Sequence, residues 1–486
     1  MLGVYGSYLP AAPVCAAAGL VLSLAAPALA LADTYYVAPS GDDSAGGDEA
    51  DPWQSLQHAA DTVGPGDRVV VREGNYEGFQ LQTSGTSSEP IEFVAEDGAT
   101  VDRDNPYTDD GINLDGASHV ILEGFRVEGT SRAGVRAMDC EGVTIRDIRA
   151  DENGVWGILT SFCDDLLIEG NETSRSGVEH GIYVGNTCRD PVVTDNVVWG
   201  NELNGIHLNG DAHAGDEGVI SGARIEGNIV YENGQSGGSG INADGLQDAV
   251  IASNLLYDNG AAGISLYAID GGGPSSGNVI AHNTVVMPDG ARPALQIRDG
   301  STDNEVVNNL FVHEDPSSEA ILVDEPSLSG LEADYNAGTT RYRVGDDGSP
   351  IDLDAWREHT GQGEHSFSAD KGELFVDPAA NDYALALDSP ASGVDAATPE
   401  VVTADLEGRP HDACGGNDLG AIACGGGDLS SEEAGPDDPH DDDGAISSAE
   451  LGADGCSGGG APAAWLFVAA TCVLCRLPHK DAAARV

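Results

Sequence analysis

The sequence predicts an all-β fold, a right-handed parallel β-helix whose coils each contribute three short strands. A short pattern recurs between residues 119 and 323 with a spacing of 23 to 32 residues, which is typical of a solenoid with insertions in some coils. An asparagine holds the same place in six successive copies. Because the 486 residues include 66 glycines and only 5% aromatic residues, we expect a core of small and β-branched side chains rather than long helices.

The chain begins with a segment that predicts export. Residues 16–31 form an apolar run that ends in small residues with Ala-x-Ala patterns, so we expect residues 1–32 to be a signal peptide. Residues 54–63 follow with the spacing of a short helix that has Trp53, Leu56 and Ala59 on one face. We expect this helix to cap the solenoid, since an open end would present unpaired backbone groups to other chains. The β-helix with its caps is predicted for residues 33–424.

The repeats align on a branched apolar residue near the start of each copy. These residues are Leu122, Ile145, Ile168, Val193, Ile225, Ile251, Ile280 and Val306. Three positions later a turn position holds Phe125 and Ile148 in the first two copies and asparagine in the others, at Asn171, Asn196, Asn228, Asn254, Asn283 and Asn309. An asparagine at a turn bonds the backbone, and stacked asparagines bond each other. The sequence therefore predicts an internal Asn ladder.

Each copy also contains a short alternating strand, such as Gly-Ile-His-Leu at residues 205–208. Period-two alternation sends the branched residues inward and the residue between them outward. We expect any chemistry on the resulting outward row, beside walls built by the longest coils, which begin at Val193, Ile251 and Ile280. The predicted outward residues in the middle of the stack are Tyr183, His207, Asn209, Asn242, Asp244, Ser265, Tyr267, Gln296 and Arg298. Asp211, His213, Asp216 and Asp270 are predicted in the adjoining loops.

Three cysteines recur at one point of successive repeats, namely Cys140, Cys163 and Cys188. Neighbouring strands lie about 4.8 Å apart, within the Cα separation that a disulfide accepts. We therefore expect one adjacent pair to form a disulfide and the third thiol to be buried. A second disulfide is predicted between Cys414 and Cys424, which flank a glycine-rich loop.

The charge of the chain narrows the range of partners. There are 82 acidic and 21 basic residues, which give a net charge of −61. Such a field repels nucleic acid and anionic lipid head groups, so neither is an expected partner. A solubilising surface accounts for most of these carboxylates, and a subset is predicted to bind Ca²⁺, which takes several oxygen ligands.

Beyond the β-helix the composition changes twice. Residues 425–455 are rich in Gly, Ser, Asp and Glu, which predicts an acidic, disordered linker. In residues 456–486 a cysteine, a short apolar run and a basic end follow one another. This order resembles the MYXO-CTERM class of C-terminal sorting signals, and a single-span membrane anchor is the alternative. Either predicts that the β-helix lies at the cell surface or outside the cell and meets the membrane only through this segment. We also expect the protein to be a monomer.

Several stretches outside the repeats suggest a known family. The opening YYVAPSGDD, the following DPWQSLQHAADTVGPGDRVVVREGNY and the closing LFVDPAANDYAL, DLEGRP and NDLGAI, together with the Asn-laddered repeats, resemble bacterial secreted right-handed parallel β-helix proteins. This superfamily includes pectate lyases and related polysaccharide lyases and epimerases. The resemblance spans about residues 34–424. It implies a polysaccharide partner and lyase or C5-epimerase activity on an acidic, uronate-containing glycan.

The outward row contains residue types that suit such chemistry. β-Elimination needs the uronate carboxylate neutralised, a base for the C5 proton and an acid for the leaving oxygen. We predict His207 as the base because histidine titrates near neutrality, Tyr183 or Tyr267 as proton donor, and Arg298 as the group that holds a carboxylate. The predicted Ca²⁺ ligands are Asp211, Asn242, Asp244 and Asp270.

One departure from the family pattern keeps a second hypothesis open. The calcium-dependent β-helix lyases use a Lys or Arg base, whereas the repeats contain no Lys, so that mechanism would apply only if Arg298 took the part. The alternative is a non-catalytic surface protein that binds glycan or forms a rigid rod.

Trp199, Tyr231 and Tyr257 hold equivalent points of three coils, where we expect an aromatic stack that stiffens the turns. His180 is expected only to close the turn before the next strand.

Overall fold

The computed structural model describes residues 32–339, 341–345, 348–412 and 416–424, all within one compact unit. The predicted linker and C-terminal sorting segment, and all of the predicted signal peptide except Ala32, lie outside the described residues and stay predictions. Among the described residues no helix has the length and apolar character that crossing a membrane requires.

In this part of the chain the predicted right-handed parallel β-helix is confirmed, with three long parallel sheets, named here A, B and C. Sheet A contains Thr34–Val37, Arg68–Val71, Ile91–Ala95, Val120–Glu123, Thr144–Arg146, Leu167–Glu169, Val192–Thr194, Arg224–Glu226, Val250–Ala252, Val279–Ala281, Glu305–Val307 and Glu332–Asp334. Sheet B contains Gly74–Glu77, Ala99–Arg103, Arg126–Glu128, Arg149–Asp151, Glu172–Ser174, Val197–Trp199, Ile229–Tyr231, Leu255–Tyr257, Thr284–Met287, Leu310–His313, Ala337–Gly338 and Phe367–Ser368. Sheet C contains Phe79–Leu81, Ile112–Asp115, Ala133–Glu141, Trp156–Asp164, Ile182–Gly185, Ile206–Asn209, Ser239–Asp244, Ala262–Tyr267, Leu295–Ile297, Ile321–Val323 and Tyr342–Val344.

The predicted alignment of the repeats is confirmed residue by residue. Each branched residue from Leu122 to Val306 is the Cα partner of the next one in sheet A. Phe93 and Ala333 extend this row at its two ends. All of these side chains are buried, so the interior consists of stacked apolar rows and each coil depends on its neighbours.

The Asn ladder is also confirmed, and the structure adds two more. In the predicted ladder each side-chain Oδ1 accepts from the backbone N–H and the amide of the preceding asparagine, as between Asn196 and Asn228 at 3.0 Å for both bonds. The ladder runs one step further than predicted, to Asn336. A second ladder follows sheet B through Asn201, Asn233 and Asn259, and a short third one pairs Asn278 with Asn304.

Helices close both ends of the described stack. The helix Leu56–Thr62 is capped by Ser55 and buries Leu56, Ala59 and Ala60, as predicted, and its Gln57 exchanges hydrogen bonds with Gln80 of the first sheet C strand. At the other end lies the helix Leu353–Thr360. Its Trp356 stacks on Tyr342 of the last sheet C strand, with ring centroids 5.1 Å apart. A 3₁₀ turn, Glu325–Leu328, lies between the last coils.

The segment after the last coil returns to the solenoid and packs on its outer surface. The short helix Lys371–Leu374 leads into Phe375–Asp377, which pairs antiparallel with Asp382–Leu385 rather than adding another coil. Phe375 and Leu385 pack against outward side chains of sheet B, among them Val286 and Val312. Because these outward side chains are apolar, they need to be shielded from water, and this segment shields them.

The cysteines and the aromatic stack follow the predictions. Cys140 and Cys163 are directly paired in sheet C, their Cα atoms are 4.5 Å apart and they form a disulfide, while Cys188 is a buried free thiol. Cys424 is disulfide-bonded, but Cys414 lies outside the described residues. A small three-stranded sheet of Cys188–Arg189, Ile220–Ser221 and Leu246–Gln247 lies next to these coils.

The predicted aromatic stack is present: the ring centroids of Tyr231 and Tyr257 lie 4.9 Å apart with an interplanar angle of 2°.

Candidate functional site

The outer surface of sheet C presents one continuous row of side chains, one from each strand, which we call the central row. Strand register defines it as Gln80, Asn113, Arg136, Leu159, Tyr183, His207, Asn242, Ser265, Gln296, Leu322 and Arg343. The flanking residues of each strand, such as Ile206 and Leu208, are buried in the core. The predicted outward direction of Tyr183, His207 and Asn242 is therefore confirmed.

A wall of two loops borders the middle of this surface. Residues 210–218 and 268–274 both follow sheet C strands, and they bond each other through Ala212 N–H to the Asp270 carbonyl at 3.0 Å and Gly272 N–H to the Gly218 carbonyl at 2.7 Å. The approach needs glycine, since a Cβ at Gly272 would lie 1.9 Å from the carbonyl oxygen of Glu217. The longer coils thus build the wall that their insertions predict. We call these two loops the loop wall.

Asp244 holds the loop wall in place rather than facing solvent. Its carboxylate accepts backbone N–H groups of Ile269, Asp270 and Gly271 at 2.8 to 3.2 Å. It is 1% exposed, and burial raises its pKa although these bonds oppose the shift. Asp244 pairs with Asn209 in the predicted outward register, but the inserted loop folds back over its carboxylate and buries it.

Two histidines on neighbouring coils are joined in a directed hydrogen-bond chain. His180 Nδ1 accepts the backbone N–H of Asn204 at 3.2 Å, so the proton of the neutral ring is on Nε2. That Nε2 lies 3.0 Å from Nδ1 of His207, which must therefore accept. The remaining His207 proton is on Nε2, a buried atom with no hydrogen-bond partner among the described residues. Neutral His207 thus presents a single N–H donor.

Burial keeps both rings neutral. It lowers the pKa of His207 to about 3, and burial together with the neighbouring His207 lowers the pKa of His180 well below its ordinary value. The predicted base role of His207 stays a prediction, but burial opposes titration near neutrality, its Nδ1 lone pair is engaged by His180 and its Nε2 carries a proton. The ring suits donation to an anion or an oxygen instead.

Two tyrosines belong to this region, each oriented by an amide: Tyr183 contacts His207, and Tyr267 is linked to the next central-row residue, Asn242. The ring of Tyr183 lies 5.3 Å from that of His207 in an edge-on arrangement, and its hydroxyl oxygen accepts from Asn209 Nδ2 at 3.0 Å. The hydroxyl oxygen of Tyr267 accepts from Asn242 Nδ2 at 2.8 Å. Burial raises the pKa of Tyr267, so this phenol is protonated at neutral pH and its own hydrogen is directed away from Asn242.

The predicted Ca²⁺ ligands do not fit a calcium cradle in this fold. Asp244 and Asn242 use their side chains on the loop wall and on Tyr267, while Asp211 accepts the backbone N–H of His213 at 2.7 Å. Asp270 is exposed at the end of its loop. Of the residues described here, no group of three or more His, Cys, Asp and Glu side chains could hold a metal ion. These residues therefore support no catalytic step through Ca²⁺.

The structure places other residues at the site that the sequence argument did not select. His180 was expected only to close a turn, and instead it sets the proton position of His207. Glu179 approaches the same His180 Nε2 with a carboxylate oxygen at 3.5 Å, and burial raises its pKa. Trp156 lies one coil below, with its ring 6.4 Å from that of Tyr183. A sequence signal existed for all three, since each lies at or just before the start of a sheet C strand.

Arg298, the fourth predicted catalytic residue, follows the strand Leu295–Ile297 and is half-buried. Two strand positions, those of Asn242 and Ser265, separate its coil from His207 along the central row. Ser265 is buried, and its hydroxyl bonds Ser239 and the amide of Gln296 at 2.7 and 2.6 Å. The structure therefore brings Tyr183, His207, Asn242 and Tyr267 together and leaves Arg298 at the side of this group.

Comparisons with known proteins agree with the fold. A family model described as "Pel9A-like, right handed beta helix region" matches residues 35–165, and a "Right handed beta helix region" model matches residues 156–323. The pectate lyase Pel9A has 14% sequence identity and a TM-score of 0.54, over 81% of this chain and 96% of that chain. A rhamnogalacturonan lyase has 18% identity and a TM-score of 0.43, over 60% and 84%.

A curated relative in Bacillus subtilis (strain 168), the uncharacterized protein YwoF, is 26% identical over 231 residues. The match covers 44% of this chain and 45% of YwoF, so the chain spans about half the length of that relative. Together the family models and Pel9A support a pectate lyase-like β-helix, which agrees with the resemblance noted in the sequence.

Proposed function

We propose that this chain is an exported or surface-attached polysaccharide lyase or C5-epimerase that acts on an acidic, uronate-containing glycan at the central row of sheet C. The observation that supports it best is the buried Nε2–H of His207. A buried donor without a partner costs about 1 to 3 kcal/mol, and a substrate carboxylate that reaches it as the side chains over it shift would remove this cost. The pectate lyase-like fold agrees with a glycan laid across the parallel strands.

In this proposal His207 stabilises charge rather than removing a proton. Loss of the C5 proton moves electrons toward the uronate carboxylate, which becomes enolate-like and carries more negative charge. A donor fixed in advance, such as His207 Nε2–H, stabilises that charge most effectively when it is buried and does not need to reorient. His180 and Asn204 hold the ring in the required tautomer, so they are positioning residues.

The tyrosines supply the proton transfers. We assign the removal of the C5 proton to Tyr183 in its phenolate form, which has given its hydroxyl proton to solvent before the reaction and is stabilised by the amide hydrogen bond from Asn209. Taking the C5 proton converts it to a neutral phenol, which returns that proton to solvent after the reaction. Tyr267 retains its proton, since burial raises its pKa, and it donates to the leaving O4 as the C4–O4 bond breaks and the C4–C5 double bond forms. If Tyr267 returns a proton to the opposite face of C5 instead, the same groups perform epimerisation.

The test uses the full chain and a panel of polygalacturonate, alginate and a neutral glucan, each with and without Ca²⁺. A lyase produces ultraviolet absorbance from unsaturated uronate ends, and an epimerase exchanges the C5 proton for solvent deuterium without cleavage. We expect one of these on a uronate polymer, with Tyr183→Phe and Tyr267→Phe each reducing the rate at least about 100-fold.

The matched control is Tyr231→Phe, since Tyr231 belongs to the aromatic stack on sheet B and lies off the central row. This variant should retain the wild-type rate. Uronate binding without cleavage or exchange would favour the alternative, a non-catalytic glycan-binding protein. No binding and no reaction on any uronate polymer would refute the proposed function.

A further inference from the structure

Arg136 differs from the other arginines on described strands in having no carboxylate partner. Each of the others forms an ion pair with an Asp or Glu within 4.0 Å: Arg68, Arg103, Arg126, Arg146, Arg149, Arg189, Arg224 and Arg343. Acidic residues far outnumber basic ones in this chain of net charge −61, so an arginine without an acidic partner is unexpected. Its position on the central row makes it a candidate contact for substrate.

The contacts of Arg136 orient the guanidinium without neutralising it. Its Nη1 donates to Asn113 Oδ1 at 2.8 Å, and the amide of Asn113 in turn donates to Gln80 Oε1 at 2.9 Å. The backbone N–H and carbonyl of Gln80 are in turn bonded by the side-chain amide of Gln57 in the capping helix. Amides are the only acceptors in this chain of bonds, so the positive charge and the other N–H groups of Arg136 stay available at the half-buried surface.

The acidic groups whose charge acts on Arg136 are Asp110, Asp115 and Asp139. None of them pairs with Arg136 within 4.0 Å among the described residues, and the first two are used elsewhere. Asp110 forms two hydrogen bonds with Arg132, and Asp115 accepts from Gln82 at 2.8 Å. Burial lowers the pKa of Arg136, which agrees with a guanidinium that has lost water without gaining a paired carboxylate. A carboxylate from outside the protein would form the charge-assisted, bidentate pair for which the guanidinium geometry is suited.

The register places Arg136 on the same line as His207. The intervening central-row residues are Leu159 and Tyr183, so the two groups are separated by three strand spacings, or about 14 Å. Leu159 and the neighbouring Trp156 are half-buried and apolar, which offers a floor for the faces of sugar rings. A glycan extended along the row would meet His207 at one sugar and Arg136 several sugars away, toward the capping helix.

We propose that Arg136 is a remote subsite that binds the carboxylate of a uronate unit several sugars from the one at His207, so that the protein prefers long polyuronate chains. This inference rests on the proposed function, since it takes the central row as the glycan site. The subsite would also explain how a strongly acidic protein binds a polyanion, because Arg136 attracts a substrate carboxylate at one defined point of the central row.

The experiment measures the affinity of the full chain for uronate oligomers of two and of six units, prepared from polygalacturonate and from alginate. The wild type should bind the hexamer more tightly than the dimer. Arg136→Gln should weaken hexamer binding about tenfold and leave dimer binding unchanged, and Arg136→Lys should recover part of the loss. Arg146→Gln removes the same charge from sheet A, where Arg146 pairs with Glu123, and should change neither affinity.

The possible failures are distinguishable. If Arg136→Gln keeps its melting temperature and binds both lengths as the wild type does, the subsite is refuted and the proposed function stands. If folded Arg136→Gln loses dimer and hexamer alike, Arg136 is not a remote subsite and the inference is again wrong. If the wild type binds no uronate oligomer of either length, the proposed function fails and the subsite fails with it.

Discussion

The proton position of His207 is set by His180 and Asn204, two residues that take no direct part in the proposed reaction. The backbone N–H of Asn204 donates to His180 Nδ1, and this single bond fixes the proton on each of two imidazole rings. A histidine on a sheet surface would titrate near pH 6.5. Here burial lowers the pKa of His207 to about 3, and the ring becomes a fixed donor over the physiological range.

Replacing His180 tests this arrangement. In His180→Phe the ring volume remains, but the N–H that occupies His207 Nδ1 is lost, so that atom can take a proton. Loss of this donor removes one obstacle to protonation at Nδ1, so the pKa of His207 should rise above about 3, while the remaining burial keeps it below the ordinary value of about 6.5. Activity on the uronate substrate should acquire an acid limb between these two values. Activity at pH 7 should fall by roughly tenfold.

The control for this pH profile is His365→Phe. His365 is exposed and pairs with Asp334 at 2.7 Å near the far end of the stack, so its replacement should leave the profile unchanged. A His180→Phe profile identical to that of the wild type would show that His180 does not set the proton position of His207.

Part of the site was predictable at this scale and part was not. Alternation in Gly-Ile-His-Leu is enough to send His207 outward, because strand geometry depends on local sequence. Its tautomer and pKa were not predictable, since they depend on His180 and Asn204, whose spatial positions follow from coil length. The insertion in the coil that begins at Val193 likewise predicts a wall, but not that Asp244 of the next coil would anchor it.

At the scale of the element, the ladders show why short strands suffice. Each inner asparagine satisfies backbone groups of its own coil and of its neighbours: Asn228 donates to the carbonyl oxygen of Val193 at 2.9 Å and accepts from the backbone N–H of Asn196 at 3.0 Å. Turn positions inside a solenoid are closed to water, so these bonds have no substitute. The first ladder was predictable because its asparagines recur at one position relative to an apolar anchor.

Truncating one ladder residue should therefore be costly. Asn228→Ala strands the N–H of Asn196 and the carbonyl of Val193, at roughly 1 to 3 kcal/mol for each group, and the melting temperature should fall clearly. The control Asn75→Ala removes an exposed asparagine whose side chain bonds Asp102 at 2.6 Å, and it should have little effect. Equal shifts of the two melting temperatures, measured by circular dichroism, would contradict the ladder's role.

At the scale of the whole molecule, the segment after residue 388 ties several coils together. His411 stacks on His282 with ring centroids 3.7 Å apart, and His282 Nδ1 donates to the carbonyl of Asp418 at 3.1 Å. Val402 packs on Val250 of sheet A. The sequence could not predict these contacts, because they join residues more than 100 positions apart without any repeat pattern.

The histidine stack predicts how stability depends on pH. Burial lowers the pKa of His282 and of His411, so both rings are neutral in the folded protein and take up protons more readily when unfolded. Their stabilising effect is complete above the unfolded pKa of about 6.5 and is lost as pH falls below it. His411→Gln should thus lower the melting temperature most at pH 8, and the difference from the wild type should shrink toward pH 5.

Groups around the stack include Ser253, Asn308, Asp405 and Arg409, none of which is altered in this variant. A difference in melting temperature that stays constant between pH 8 and pH 5 would show that the stack does not contribute through its protonation.

The most direct measurement is a nitrogen NMR titration of the full chain labelled in its histidine rings, with the His207 signals assigned by comparison with His207→Gln. We predict a neutral His207 with its proton on Nε2 down to pH 5, and a shift of that Nε2–H signal when uronate hexamer is added but not when a neutral hexamer is added. A His207 that titrates near pH 6.5, or one whose signals do not move while the hexamer binds, would contradict the assignment of the glycan site to this residue.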